Sequence, residues 1–221
     1  MSEVDRIREA YRHCEELVRA HDKDHFLTSL FSPTERRPYL FALYAFALEI
    51  GRVKLLVNEP MAGTIRLQWW LEAVSGLRAG EAAASPVMIA LQDAGAQTGV
   101  SLAPLAAAVE ARQNELHGTP ATGATATVFV MAARFLGADG DAIALAAARA
   151  AEAVTFAESA PDRARGAYAG FRAEVGTLPK QSLPAFLSAA LVPLRLKRLD
   201  AAQWRRQIVL LHTAWFGFPK L

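Results

Sequence analysis

An all-α fold is predicted for this chain, and three observations carry the prediction. Alanine, the strongest helix former, supplies ten of the twenty residues at 141–160. Apolar residues recur every three or four positions in most segments, while Val/Ile/Thr alternation at period two is scarce. Ser32-Pro33 and Ser85-Pro86 stand just ahead of apolar runs, where a capping hydroxyl and a proline at the first helical position belong. With 221 residues, 52% of them hydrophobic, the chain can fill a core without external staples. One helical domain over residues 1–221 is expected.

The elements follow in order. Val4, Ile7, Tyr11, Cys14, Leu17 and Val18 fall at helical spacing with charges between them, so the first helix is amphipathic and lies on the surface of the bundle. Ser2 with Asp5 supplies its cap. Ser32 as N-cap, Pro33 at N1 and Glu35 at N3 form a capping box for a helix reaching about Val57. Leu40, Phe41, Leu43, Tyr44, Phe46, Ile50, Val53 and Leu56 make that helix apolar nearly all round, which marks it as central. Asn58-Glu59-Pro60 ends it. A Trp-rich helix then carries Ile65, Leu67, Trp69, Trp70 and Val74 to about Leu77. Ser85-Pro86 opens a helix to about Thr98. Further helices are expected at 102–116, 124–136, 141–159, 184–199 and 201–216, the last with a capping box from Asp200 and Gln203. Residues 119–123, 137–140 and 161–184 read as loops.

Charge excludes some functions. A net charge of +2 is too small a bias for a nucleic-acid binder. It is unevenly spread, however. Residues 190–221 hold six Lys/Arg against Asp200 alone, a local +5. There Arg195, Lys197, Arg198, Arg205 and Arg206 mix with Trp204, Trp215, Phe216 and Phe218. Such a segment either docks a protein partner or an anionic membrane surface, or is a bundle helix with snorkelling charges. The apolar end Trp215-Phe216-Gly217-Phe218-Pro219 is expected to tuck into the bundle or a partner. Cys14 is the only cysteine, so no intrachain disulfide forms. The first residues carry no apolar signal region, and no run of about 18 uncharged apolar residues occurs. A cytoplasmic location is the default expectation.

Common chemical motifs are missing: there is no P-loop, no GxGxxG after a strand and no Cys/His zinc spacing. His21 and His25 stand at i,i+4 and, on one continuous helix, would offer two ligands to a transition metal without a third. A solvated helix junction is the plainer reading. Trp69 and Trp70 read first as core. Glu49, on a mostly apolar helix, needs a partner, and Arg52 or Arg66 is expected to pair with it.

Ser32-Pro33 followed by Arg37, then Leu43-Tyr44-Ala45-Phe46, then Ile65-Arg66-Leu67-Gln68-Trp69-Trp70, resemble the squalene/phytoene synthase family. Ala45-Phe46-x-x-Glu49 together with Arg66-x-Gln68-Trp69-Trp70 is similar to a divergent branch that includes a mitochondrial complex I assembly factor. The likeness runs over residues 22–74, more weakly over 102–137, and returns at 183–199. It implies a helical bundle of the isoprenoid (trans-prenyl) synthase type, shortened in its C-terminal half, with a family helix missing between Ala160 and Leu178. It also implies that catalytic members hold Mg²⁺ between two Asp-rich helices, because paired carboxylates at i,i+4 share one helix face.

Carried onto this chain, the family's arginine falls on Leu48, its adjacent aspartates on Gly51 and Arg52, and the acid one turn later on Leu55. The second motif falls on Glu152, Thr155, Glu158 and Ser159, where synthases carry Gln, Asn, Arg and Asp. Glu49 is rotated ~200° from Gly51. Acids at i,i+4 occur only as Asp5/Glu9 and Glu158/Asp162, and Pro161 interrupts the second pair.

The reading is therefore a family member without the Asp-rich metal motifs, a non-catalytic accessory or assembly protein with no cofactor, placed by the resemblance at the inner membrane face. The alternative is a prenyltransferase condensing isoprenoid diphosphates head-to-head with Mg²⁺, its diphosphates held by Arg36, Arg52 and Arg66. A third is a carrier of an isoprenoid or lipid. Tyr44, Arg52, Arg66 and Trp69 are the candidate substrate-binding residues. No catalytic or metal-ligating residue and no nucleic-acid partner is assigned.

Overall fold

A computed structural model describes residues 2–57, 59–77, 80, 84–197 and 201–220, and all regular structure among them is helical. Helix α1 (Glu3–His21) opens on the expected capping box: Ser2 Oγ accepts the Asp5 N–H at 3.1 Å, and Asp5 Oδ2 accepts the Ser2 N–H at 3.3 Å. Its inner stripe of Ala10, Cys14 and Val18 is buried, while Val4 at the tip stays in water. A short α2 (Lys23–Ser29) follows at once, with Asp22 ending one helix and capping the next.

Helix α3 (Arg37–Leu56) is central, as its sequence requires. Leu40 to Phe46 are buried without interruption, then Ile50 and Val53. Helices α1 and α5 (Pro86–Thr98) pack on it from one side and α7 (Thr122–Phe135) from another. Its start departs from the expected capping box. Ser32 is buried, and its hydroxyl donates to the Ser29 carbonyl at 2.5 Å, so it is spent on closing α2. Residues 33–36 form a turn, and α3 begins four positions later with Pro38 in its first turn. Ser85 does cap α5, accepting the Met88 N–H at 3.4 Å, and Gly99 in the left-handed region (φ 70°) stops that helix.

Helix α4 (Pro60–Val74) packs on α6 (Leu105–Leu116), which packs on α7; α7 packs on α8 (Asp141–Phe156), and α8 on α9 (Pro161–Val175). From α6 to α9, short connections thus lay successive helices side by side. One contiguous buried cluster draws residues from Ala10 to Val192.

Helix α9 corrects the expected loop over 161–184 and the expected loss of a helix after Ala160. Pro161 sits in the first turn, where its missing N–H costs nothing. Ala164, Ala167, Tyr168, Phe171 and Val175 then form a buried stripe at helical spacing. Gly170 permits a close approach to α8, because a Cβ there would overlap the Arg149 guanidinium, which pairs with Glu174 at 2.9 Å.

The expected helix at 184–199 is broken into α10 (Leu183–Phe186), a 3₁₀ stretch (Leu187–Leu191) and α11 (Val192–Leu196). Pro193 cannot donate into a continuous α-ladder, which accounts for the break. The last helix, α12 (Gln203–Phe216), lies on that 3₁₀ stretch and on α2. Its proposed cap at Asp200, Arg198 of the basic segment and Asn58 of the α3 stop lie outside the described residues.

Candidate functional site

A cleft of about 310 Å³ opens beside α3. Ala47, Leu48, Gly51, Arg52 and Leu55 line it from α3, Arg112 from α6, Thr125, Val128 and Phe129 from α7, and Asp22 with His25 from the α1–α2 junction. These are the α3 positions that the motif reading aligned with the family's arginine and acids. The helix periodicity that places them on one face holds, but the face carries different chemistry. Gly51 leaves a gap, and the Arg112 guanidinium stands beside it, with Nη2 3.7 Å from where a Cβ would be. Arg112 Nη1 donates to Glu115 Oε2 at 2.8 Å, while its Nε is buried with no hydrogen-bond partner. Glu115 also pairs with Lys54 at 3.6 Å, outside the cleft wall.

Among the described residues the single carboxylate in the cleft wall is Asp22, and it is already engaged. Its Oδ1 accepts the His25 N–H at 3.1 Å, and its Oδ2 lies 2.6 Å from His25 Nδ1. Burial alone would raise the Asp22 pKa. The His25 ring, both hydrogen bonds and Arg195 outweigh it and hold the carboxyl below its ordinary value. Burial also lowers the Arg195 pKa, against the opposing fields of Glu158 and Asp22. Behind His25 lies Tyr44, its ring 4.3 Å from the imidazole. Tyr44 is fully enclosed, its hydroxyl makes no hydrogen bond, and burial raises its pKa.

The four candidate substrate-binding residues therefore separate. Arg52 lines the cleft and Tyr44 sits one layer behind it. Arg66 and Trp69 do not join them: Arg66 is exposed on α4, and Trp69 stands edge-on to Trp70 at 4.9 Å, half-buried away from the cleft. Trp70, packed on Phe46 at 5.5 Å, is the core residue of the pair. Arg36, a proposed diphosphate ligand, donates to the Phe135 carbonyl at 3.3 Å. Phe41, Tyr44 and Phe46 fill the interior where a carrier would need space.

Two other expectations change. The junction at His21–His25 is solvated only in part: His21 and Lys23 are exposed, whereas Asp24 is 4% exposed and paired with Arg206 of α12. It also breaks the helix between His21 and His25, so the two imidazoles do not share one helical face. Glu49 is half-buried and has no ion pair with Arg52 or Arg66. On α8, Glu152 pairs with Arg163, and none of Glu152, Thr155, Glu158 and Ser159 lines the cleft, although Glu158 acts on the same Arg195 as Asp22.

Residues 18–154, more than half of the chain, match the model of the squalene/phytoene synthase family. The chain belongs to that family. It is also similar to "NADH dehydrogenase (ubiquinone) complex I, assembly factor 6" of Bos taurus, 38% identical over 80 residues that cover 36% of this chain and 24% of that protein. The Homo sapiens protein of that name is 38% identical over 79 residues, with the same two shares. The Drosophila melanogaster homolog is 34% identical over 73 residues, 33% of this chain and 22% of its own. The match thus spans about a quarter of these relatives' length. No solved structure matches this chain.

The residues of this family member do not fit a magnesium ion. Mg²⁺ at a diphosphate site is held through one or two free carboxylates together with waters and substrate phosphates, and the cleft presents Gly51, Arg52, Leu55 and Arg112 around one carboxylate committed to His25. Among the described residues no group of three or more His, Cys, Asp or Glu side chains gathers as a metal site. Arg112 escaped the sequence reading because its meeting with Gly51 is made across two helices, and nothing in its local sequence marks it. Asp22 had a usable signal: an acid three residues before His25 at a helix start is an N-cap pattern.

Proposed function

We propose that this family member acts by binding and not by turnover, as an accessory protein in the assembly of NADH dehydrogenase complex I. One observation carries the reading: guanidinium groups stand where the resemblance puts paired aspartates. Ionising a prenyl diphosphate needs a divalent cation between the leaving group and convergent carboxylates. Arg52 and Arg112 at that place repel such a cation. The printed names of the curated relatives support the assembly role.

Assembly requires a docking surface, and α12 supplies one. Trp204, Ile208, Leu211 and Trp215 follow one another at four-, three- and four-residue steps along a single face, each more than half exposed. Arg205 and His212 flank them, also exposed. A free apolar stripe of this kind marks an interaction site for a protein partner. The inner membrane face is the location that goes with this role. No described helix is long and apolar enough to cross a membrane.

The test is to tag the full chain at its N-terminus, away from α12, in cells that build complex I. Complex I subunits should co-purify, and Ile208→Glu with Leu211→Glu should release them without unfolding the protein. Deletion of the chain should lower assembled complex I on native gels. Recovery of no subunit together with unchanged complex I would refute the reading.

A further inference from the structure

A second and larger cleft, about 730 Å³, lies between Phe31 after α2, the end of α9, the Lys180–Leu191 segment and the end of α12. That volume falls within the ~300–1,000 Å³ of small-molecule sites. The fold builds this cleft by splitting the aromatic chain end. Gly217, at φ 88°, turns the backbone back, and Phe218 stands edge-on to Phe171 at 5.0 Å. The Tyr168 hydroxyl then donates to the Pro219 carbonyl at 3.2 Å, anchoring the tail. Trp215 and Phe216 are left outside, 77% and 79% exposed, and form one wall. Val175, Leu178, Leu183 and Leu187 form the other.

The charged side chains described in this cleft are of one sign. Arg172 and Lys180 line it, and among the described residues no Asp or Glu does. Neither cation has an ion pair among the described residues, and the Arg172 Nε is buried without a hydrogen-bond partner. An unpaired guanidinium at the edge of an apolar trough calls for an anion whose remainder is hydrocarbon.

We propose that this cleft binds an amphiphile with one anionic head, a carboxylate or a phosphate. Arg172 and Lys180 hold the head, and the tail lies between Trp215 and the leucines. The site is separate from the α3 cleft and does not depend on the assembly role.

Calorimetric titration of the full chain with decanoate, decyl phosphate and uncharged decanol tests it. At least one anion should bind saturably, and comparing the two identifies the head. Decanol should bind roughly tenfold more weakly, about what one charge-assisted hydrogen bond contributes. Arg172→Gln should weaken the anion by a similar factor. Lys180→Gln, at an exposed and unpaired position, gives a second test should the Arg172 variant be unstable. Gly176 lines the cleft with nothing within 4 Å of an added Cβ, so Gly176→Phe should block binding while leaving the melting temperature nearly unchanged. The proposal fails if neither anion binds saturably, if decanol binds as well as the anions, or if Lys180→Gln and Gly176→Phe both leave affinity unchanged.

Discussion

The Arg112 guanidinium occupies the side of α3 that Gly51 leaves open, with 3.7 Å between Nη2 and the position of a Cβ. That distance is ordinary contact, so Gly51 is not required for packing. Gly51→Ala should stabilise the protein by about 0.5–1 kcal/mol through helix propensity alone. Gly63 on α4 is the contrast, since a Cβ there would meet Leu116 Cδ1 at 2.8 Å and Val57 Cγ2 at 3.2 Å. The half-buried Leu116 side chain must shift to admit it, which offsets the propensity gain, so Gly63→Ala should stabilise less than Gly51→Ala. Denaturant titration of both variants checks the order.

Gly51→Asp extends the same geometry. A carboxylate at this position meets Arg112 and not a metal, so thermal stability should be independent of added Mg²⁺. A magnesium-dependent rise in melting temperature would mean that the acids of a metal site lie closer than the structure places them.

Asp24 depends on a partner far away in sequence. It is buried, Arg206 of α12 is paired with it, and its Oδ1 has no hydrogen bond. Arg206→Ala should therefore cost about 2–3 kcal/mol, the low end of breaking a buried pair because Arg206 keeps part of its side chain in water. The double variant with Asp24→Asn should recover part of that loss in a mutant cycle.

Acid should weaken the α1–α2 junction. The Asp22 carboxyl sits below its ordinary value of 3.8 in the folded protein, so the unfolded chain takes up its proton first as pH falls. Its contribution is complete above about pH 4 and disappears as pH drops through the folded value. Asp5, Glu9 and Asp139 also titrate low, through hydrogen bonds to Ser2, Arg12 and Gly140. Asp22→Asn should consequently flatten the acid limb of the stability curve without abolishing it.

Cys14 is fully buried on the inner face of α1, and burial pushes its thiol up to about 12. Ellman's reagent should modify it only when α1 opens, on the order of 10²-fold more slowly than in urea. Rapid stoichiometric labelling in plain buffer would show α1 to be loosely held.

Much of this was legible in sequence for identifiable reasons. The run from Leu40 to Val53 is apolar on every side, which only a central helix tolerates, and α3 is central. Ser85-Pro86 read correctly because the Ser85 hydroxyl has no nearer partner than its own helix. Ser32-Pro33 misled because the Ser29 carbonyl captured the hydroxyl. Helix α9 was hidden by Gly166, Gly170 and Gly176, although its stripe from Ala164 to Val175 was present in the sequence. In the cleft, Gly51, Arg52 and Leu55 could be placed by period alone. Arg112, the Asp24–Arg206 pair and the isolation of Glu49 could not, since each depends on which helices become neighbours. The apolar chain end was half legible: Phe218 tucks into the bundle as expected, while Trp215 and Phe216 face outward.

The central claim is that this family member binds and does not turn over. Incubation of the full chain with farnesyl or geranylgeranyl diphosphate and Mg²⁺, followed for released diphosphate and prenyl product, addresses it most directly. The account predicts neither product, and no magnesium dependence in any diphosphate binding. Multiple turnovers that stop when magnesium is chelated would contradict it.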